Sequence, residues 1–326
     1  MATNRTVTVK TSGGDYTSLA AAIAGEDKNL VSLDRQLTIE CYAKQDTSAV
    51  YFTRTAWTTD ATRYILVTCP STERHSGIYS TSKYRLEVSN NTPFRIDHGV
   101  FITVEWLQIH LVTGTDMRVV YFGGATASAS NITLRNCIVR SYGGAQYNAG
   151  IHASYTGNSS SNIYVYNNLV YGGDTVNNVH NYGLQSDIVG NYYFFNNTII
   201  SRYGVKRNNG TFILKNNLFQ VVESTGTGTM GAGTNYNRTN LSSLGYTVTG
   251  GGNTSDATSQ TFTFVDSSAT PPDFHLASND AGAKNLGVSD PGSGLFSNDI
   301  DGQTRSGSWD VGADEIISTR RIFVIS

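Results

Sequence analysis

One short element that carries polar side chains recurs three times along the chain. Its copies are Gly150-Ile-His-Ala153, Gly183-Leu-Gln-Ser186 and Gly204-Val-Lys-Arg207. In each copy a polar residue follows an aliphatic one, so His152, Gln185 and Lys206 occupy the same frame. Because side chains alternate between the two faces of a strand, these three point outward when the aliphatic residues point inward. An imidazole, an amide and an ammonium group stacked on one surface can exchange hydrogen bonds with sugar hydroxyls.

Further aromatic and charged residues lie close to this element in the sequence, namely Tyr155, Tyr182, Tyr203 and Arg207. Tyrosine rings can stack on sugar faces while amides and charged groups bind hydroxyls, so the combined set predicts a glycan-binding face. The alternative is an ordinary solvated face, because scattered polar groups are normal on protein surfaces.

Acid and base chemistry is less well supported by the sequence. His152 and Lys206 would suit a lyase, but two coils separate them, which predicts a distance of about 10 Å. Asp116, Asp174 and Asp187 are far apart and fall in different frames, so they predict no carboxylate cluster. The catalytic residues of any enzyme on this chain therefore stay unknown.

Metal chemistry is not predicted either. Asp299 and Asp301 resemble part of a calcium loop, but the spacing is incomplete, and a structural turn paired with Arg305 is expected instead. The cysteines are odd in number and widely spaced, which favours buried thiols over a disulfide framework or a zinc site. They are Cys41, Cys69 and Cys137.

The elements that position these residues appear as a longer repeat. Nine-residue segments align without gaps and begin at Phe101, Asn131, Asn162, Asn191 and Thr211, in steps of 30, 31, 29 and 20 residues. The second and fourth positions of each copy are apolar or aromatic, which is the alternation of a strand with one buried face. Since the copies run in one direction and long segments join them, they predict parallel strands stacked about 4.8 Å apart in a solenoid.

Asparagine follows these strands in fixed positions. One column holds Asn136, Asn167, Asn196 and Asn216, and beside it stand Asn168, Asn197 and Asn217. Asparagine tolerates left-handed backbone angles and satisfies turn backbone groups, so both columns predict stacked bends at strand ends. The first copy has Trp106 and Leu107 at these positions, so its bend is expected to be built differently.

The segments outside the repeat divide the chain into three predicted parts. These are an N-terminal strand and capping helix at 1–29, a parallel β-helix at 30–265, and a C-terminal cap and tail at 266–326. Asp15 and Thr17 precede the apolar stretch from Leu19 to Ile23, which predicts an N-cap and a short helix that plugs the first coil. The Gly- and Thr-rich stretch 226–252 predicts a long loop or an irregular coil.

Bulk composition limits the partners. The formal net charge is −2 and only 15% of residues are charged, so nothing predicts nucleic-acid binding. No stretch approaches the roughly 20 apolar residues of a membrane span. The first residues lack the apolar core of a signal peptide, so we expect either no export by that route or a leader that has been removed.

Three features carry a resemblance to a known family. They are the stretch Gly13-Gly-Asp-Tyr-Thr-Ser-Leu-Ala-Ala-Ala-Ile23, the repeated strands ending in Asn-Asn, and the closing motif with Asp301, Arg305 and Asp310-Val-Gly-Ala-Asp-Glu315. Together they resemble right-handed parallel β-helix proteins of the pectate-lyase-like superfamily, in particular those found in phage genomes. The resemblance implies an all-β, right-handed parallel β-helix with a short N-terminal capping helix. The catalytic carboxylates of the family's enzymes have no matching positions in this sequence.

Two functions follow as expectations. The first is a bacteriophage virion surface protein, a spike, fibre or capsid decoration, that is homotrimeric and contacts host polysaccharide or other virion proteins. The second is a secreted polysaccharide lyase or glycoside hydrolase whose signal peptide was removed. A cofactor is expected only in the second case, where Ca²⁺ would serve.

Overall fold

The chain winds through a long series of short strands with one helix near its start. The structure, a computed structural model, describes residues 2–26, 28–53, 57–97, 99–114, 117–124, 129–141, 148–154, 160–172, 180–250 and 255–317. The helix is α1 (Leu19–Glu26). The strands are β1 (Thr3–Val9), β2 (Arg35–Cys41), β3 (Gln45–Asp46), β4 (Val50–Phe52), β5 (Ile65–Thr68), β6 (Arg85–Ser89), β7 (Phe94–Asp97), β8 (Phe101–Glu105), β9 (Gln108–Thr113), β10 (Arg118–Gly123), β11 (Asn131–Arg135), β12 (Ile138–Ser141), β13 (Asn148–Ala153), β14 (Asn162–Tyr166), β15 (Leu169–Gly172), β16 (His180–Ser186), β17 (Asn191–Phe195), β18 (Thr198–Arg207), β19 (Thr211–Lys215), β20 (Leu218–Thr227), β21 (Thr229–Met230), β22 (Arg238–Thr239), β23 (Thr247–Val248), β24 (Phe264–Asp266) and β25 (Asp273–Leu276).

Two large parallel sheets form the body. The first runs β1–β2–β5–β8–β11–β14–β17–β19. The second runs β3–β6–β9–β12–β15–β18 and continues from β18 through β16–β13–β10–β7–β4, because β18 is long enough to pair with β15 by its first half and with β16 by its second. Each full coil thus contributes one strand to the first sheet and two to the second, and the predicted parallel β-helix is confirmed.

The sequence repeat gives the register of the first sheet directly. Ile132 pairs with Ile163 and Leu134 with Val165, the same positions that align in the sequence. Across the five copies the second and fourth residues are at most 3% exposed. Each apolar column is therefore a continuous ladder, and burial of these side chains at about 25 cal/mol per Å² of apolar surface stabilises the coils.

The helix closes the amino-terminal end of the core, as predicted. Its Leu19, Ala22 and Ile23 are buried in the main apolar cluster. Its N-cap differs from the prediction, because the Ser18 hydroxyl accepts the N–H of Ala21 at 3.0 Å. Asp15 accepts instead from the backbone of Thr8 in β1.

The two asparagine columns have different partners. In the first, which we call the left-handed column, Asn136, Asn167, Asn196 and Asn216 have φ between 49° and 56°. In the second, the buried column, each amide bonds to the next. Asn168 Nδ2 donates to Asn197 Oδ1 at 3.0 Å, and Asn197 Nδ2 donates to Asn217 Oδ1 at 3.0 Å. Asn237, in the stretch predicted as a loop or irregular coil, extends this column, so that stretch is an irregular coil.

The first bend of the left-handed column was predicted wrongly. Trp106 has a φ of 63°, so its backbone makes the same left-handed bend as the asparagines. Only the side chain differs. The indole packs under Gly302 and the guanidinium of Arg74, whose Cζ lies 4.4 Å from the ring centroid.

Residues 283–316, which we call the C-terminal strap, run back along the left-handed column. Asn196 Nδ2 donates to the carbonyls of Asp310 and Gly312 at 3.0 and 3.1 Å, and Asn216 Nδ2 donates to that of Val288 at 2.8 Å. The asparagine ladder predicted as architecture thus also holds the end of the chain against the coils. The three-part division of the chain stays a prediction.

Other sequence expectations can be placed on this fold. Cys41, Cys69 and Cys137 are free and buried, as predicted, and burial raises the pKa of the Cys137 thiol to about 12. The described part of the chain has no helix with the length and apolar character needed to cross a bilayer.

Candidate functional site

The predicted polar element lies on one surface of the second sheet. Strands β13, β16 and the second half of β18 pair in register, which aligns His152 with Gln185 and Gln185 with Lys206. Tyr121 of β10 continues the column on the other side of His152. The predicted stack is confirmed, and two strand spacings separate His152 from Lys206.

His152 is not the open surface group that the sequence predicted. It is 3% exposed, and its ring meets that of Tyr121 edge-on at 5.8 Å. Arg118 Nε donates to Nδ1 at 3.0 Å, and Nε2 lies 2.8 Å from Asp187 Oδ2. Because Nδ1 accepts, the ring proton is on Nε2 and is donated to Asp187. The prediction of exposure was wrong because Arg118 and Asp187 contact the two ring nitrogens and Tyr121 packs against the ring.

Asp187 is the centre of this surface, and the sequence analysis did not select it. Its Oδ1 accepts from Asn208 Nδ2 at 2.6 Å and from Gln185 Nε2 at 3.2 Å. It follows β16, one place beyond the repeated element, so its frame does not match the column. A signal was available, since Asp187 and Asn208 directly follow the register partners Ser186 and Arg207.

We call His152, Gln185, Asp187, Lys206 and Asn208 the Asp187 face. Its charges are fixed at neutral pH. Burial lowers the pKa of His152 and outweighs the opposite effect of Asp187, so the ring is neutral. Burial alone would raise the pKa of Asp187, but hydrogen bonds from His152, Gln185 and Asn208 hold it below its usual value. The face therefore presents an ionised carboxylate, 32% exposed, whose position three neighbours fix.

The predicted tyrosines border this face. Tyr182 and Tyr203 pair in register and stack with centroids 5.1 Å apart, and Lys206 Nζ lies 5.1 Å from the Tyr182 centroid. Each ring uses one face on the other, which leaves less surface for a sugar than two separate rings would. Arg207 Nε donates to the carbonyl of Gly210 in the next turn. Tyr155 lies outside the described residues, as do Asp116 and Asp174.

A second cluster of ionisable groups lies where the C-terminal strap meets β25. His275 Nδ1 is 2.6 Å from Asp273 Oδ1, and its Nε2 is 3.1 Å from Asp301 Oδ2. Burial alone would lower the pKa of His275, but these carboxylates raise it to about 10, so the ring is an imidazolium. His275, Asp301 and Asp314 each offer one atom within 4.8 Å of the others, but the ring of His275 would have to lose its proton before a cation could bind there. The sequence had predicted no metal site.

The predicted turn at Asp299 is present. Asp299 Oδ1 accepts the N–H groups of Asp301 and Gln303 at 2.9 and 2.8 Å. The expected pairing of this turn with Arg305 was wrong, because Arg305 Nη1 pairs with Glu315 Oε2 at 3.1 Å. Arg305 is fully buried at the side-chain level and donates to backbone carbonyls that the strap brings around it. Its role is to hold the strap together.

Comparison of the chain with protein-family models, with curated proteins and with solved structures finds no match. The chemistry of the Asp187 face follows from the side chains that form it. Both nitrogens of His152 are engaged, so the ring is a positioning group. The Asp187 carboxylate is 32% exposed, and the ammonium of Lys206 and the amides of Gln185 and Asn208 belong to the same face. Such a group of fixed acceptors and donors suits the binding of a polyhydroxylated ligand.

Proposed function

We propose that the protein is a surface component of a bacteriophage virion, a spike, fibre or capsid decoration, whose Asp187 face binds host glycan. The observation that carries the glycan part is the fixed carboxylate of Asp187, held by His152, Gln185 and Asn208. The exposed edge of this carboxylate can accept a hydrogen bond from a sugar hydroxyl, and hydrogen bonds to a charged group are among the stronger ones. Because the group is already oriented, little side-chain entropy is lost on binding.

The shape of the surface supports the same proposal. The face lies on parallel strands in register, so its polar groups repeat at about 4.8 Å along the solenoid. A polysaccharide that lies along the solenoid would meet one coil after another. Lys206 contacts the ring of Tyr182, which stacks on Tyr203, so the face has a cationic and an aromatic edge.

The experiment is glycan-array screening of the purified chain, followed by calorimetry with each glycan that binds. We expect Asp187→Ala to weaken binding about tenfold, since about 1.4 kcal/mol corresponds to tenfold and one charged hydrogen bond contributes about that. Asp60→Ala is the matched control, because the Asp60 side chain is 33% exposed and Asp187 is 32% exposed. Equal affinity of both variants would contradict a glycan site at Asp187.

The assembly is tested separately. We expect light scattering to give the mass of a homotrimer and labelled protein to bind bacterial cells that carry the glycan found on the array. Incubation with uronic-acid polysaccharides, followed in the ultraviolet for unsaturated product, tests the lyase alternative. Product formation that Asp187→Ala abolishes would replace the binding function with cleavage.

A further inference from the structure

A second polar stripe lies on the other half of the second sheet, on β6, β9, β12 and β15. The register aligns Glu87 with His110, His110 with Arg140, and Arg140 with Tyr171. Tyr79, from the segment before β6, covers this stripe and is 6% exposed. The stripe is therefore a row of charged and aromatic side chains partly covered by Tyr79, and it is distinct from the Asp187 face.

The acid of this stripe is fully engaged. Glu87 accepts from the Tyr79 hydroxyl, from Gln45 Nε2 at 2.6 Å and from Arg85 Nε at 3.1 Å. His110 Nδ1 lies 3.7 Å from Glu87 Oε1, which is beyond hydrogen-bond distance. Burial, with the nearby charge of Arg140, lowers the pKa of His110 to about 4, so this ring is neutral. Arg85 and Glu87 form an ion pair, so their charges cancel.

Arg140 is the charged group of this stripe whose charge Glu87 does not balance. Its Cζ lies 5.1 Å from the centroid of Tyr79 and 5.8 Å from that of Tyr171, so two rings hold the guanidinium in place. Within the described residues, no carboxylate or carbonyl accepts from it. The stripe thus carries one uncompensated positive charge on a half-buried, oriented guanidinium. Rings that fix a guanidinium lower the entropy cost of binding an anion to it.

Two further polar atoms in the same stripe lack partners. The Tyr171 hydroxyl and His110 Nδ1 are buried and have no hydrogen-bond partner in the part of the chain that the structure describes. A buried polar group without a partner costs about 1 to 3 kcal/mol.

We infer that Arg140, held by the rings of Tyr79 and Tyr171, is a binding site for a carboxylate. The planar fork of a guanidinium matches the two oxygens of a carboxylate, and one positive charge matches one negative charge. This site does not depend on glycan binding at the Asp187 face, so either can fail without the other.

The test is titration of ¹⁵N-labelled protein with sodium acetate at constant ionic strength, observed at the arginine Nε–Hε resonances. We expect the Arg140 resonance, assigned by its loss in Arg140→Gln, to shift and saturate in the millimolar range. The resonance of Arg63, already paired with Asp60, should not move. Sodium chloride and sodium sulfate at matched ionic strength serve as reference anions. Equal shifts with all three salts would overturn the inference.

Two variants sharpen the result. In Arg140→Gln the backbone amide of Tyr171 should no longer respond to acetate, whereas Arg63→Gln should respond like the parent. Tyr171→Phe keeps the ring contact with Phe274, whose centroid is 5.4 Å away, and removes only the hydroxyl. We expect it to leave acetate binding and folded signal dispersion unchanged, because the ring that contacts Arg140 is kept and the hydroxyl is buried. Unchanged affinity in Arg140→Gln would refute the site.

Discussion

Two of the surfaces that carry stacked polar side chains, the bend under the C-terminal strap and the Asp187 face, differ in whether they are covered. At the bend, the side-chain amides of the buried column donate hydrogen bonds within the coils, and those of the left-handed column donate to the strap. At the Asp187 face, His152, Gln185 and Asn208 donate hydrogen bonds to one carboxylate. About a third of that side chain stays exposed to solvent. The same device, a polar residue repeated at one place in successive coils, thus gives architecture where it is covered and a binding surface where it is open.

The difference lies in what covers each stack. Arg305 lies at the centre of the strap and donates to Asn167 Oδ1 and to the carbonyls of Gly312 and Ala313. No element of the described chain lies over Asp187 in the same way. Substitutions at the bend should therefore change folding, whereas substitutions at the open face should change binding.

The largest expected effect is from Arg305→Met. This variant leaves Glu315 and several carbonyls buried without their donor, so we expect the free energy of unfolding to fall by about 3 to 5 kcal/mol. Urea denaturation measures the change. Arg63→Met is the control, because Arg63 is 29% exposed and its ion pairs are screened by solvent, so a much smaller loss is expected. Similar losses in both variants would show that the strap does not stabilise the coils.

The two asparagine columns can be separated next. Asn197→Ala removes an acceptor for Asn168 and a donor to Val165 inside the coils, and we expect a loss of about 3 kcal/mol. Asn196→Gly keeps the left-handed bend, which glycine adopts freely. It loses the two bonds to the strap and the acceptor for one of the bonds of Asn216 Nδ2, which keeps its bond to Val288, so we expect about 1 kcal/mol. Both are measured by urea denaturation. The reverse order would mean that the strap contacts outweigh the buried column.

The strap should also loosen as the pH rises. The folded pKa of His275, about 10, is above its ordinary 6.5, so its contribution is complete below about pH 6.5 and is lost as the pH rises toward 10. The pKa of Asp314, raised to about 6 by burial, acts in the same direction at lower pH, because the folded chain holds that proton more tightly. Hydrogen exchange of the Leu276 and Gly312 amides, corrected for intrinsic rate, should show less protection at pH 9.5 than at pH 6.5. His275→Gln should remove most of that difference, and amides of β11 should not show it.

More of the fold than of the site could be predicted from the sequence, because the fold is marked by a local, repeated pattern of apolar residues. The five aligned segments fix alternation and register together, so the pairing of Ile132 with Ile163 can be obtained from the sequence. The bend at Trp106 was missed because a backbone angle set by the stack overrides residue preference. The strap was missed because contacts such as Arg305 with Asn167 join residues 138 positions apart, and no local period marks them.

The Asp187 face also shows where prediction from the local sequence pattern stops. Its column of His152, Gln185 and Lys206 followed from alternation, but alternation ends with the strand, and Asp187 lies one residue beyond it. Whether an outward side chain is open or covered depends on neighbours in other coils. Arg118 and Asp187, which bury His152, belong to the coils before and after it.

The smallest expected effect on stability, and the sharpest separation of the two surfaces, comes from His152→Phe. Phenylalanine keeps the ring contact with Tyr121 but removes the bonds to Arg118 and Asp187. Because the Asp187 carboxylate can turn to water, we expect a loss of less than about 1 kcal/mol in unfolding free energy. Glycan binding should still weaken about fivefold, since Asp187 is no longer held in one orientation. A loss above about 2 kcal/mol with unchanged binding would place His152 and Asp187 with the architecture of the bend, and the contrast between the two surfaces would be wrong.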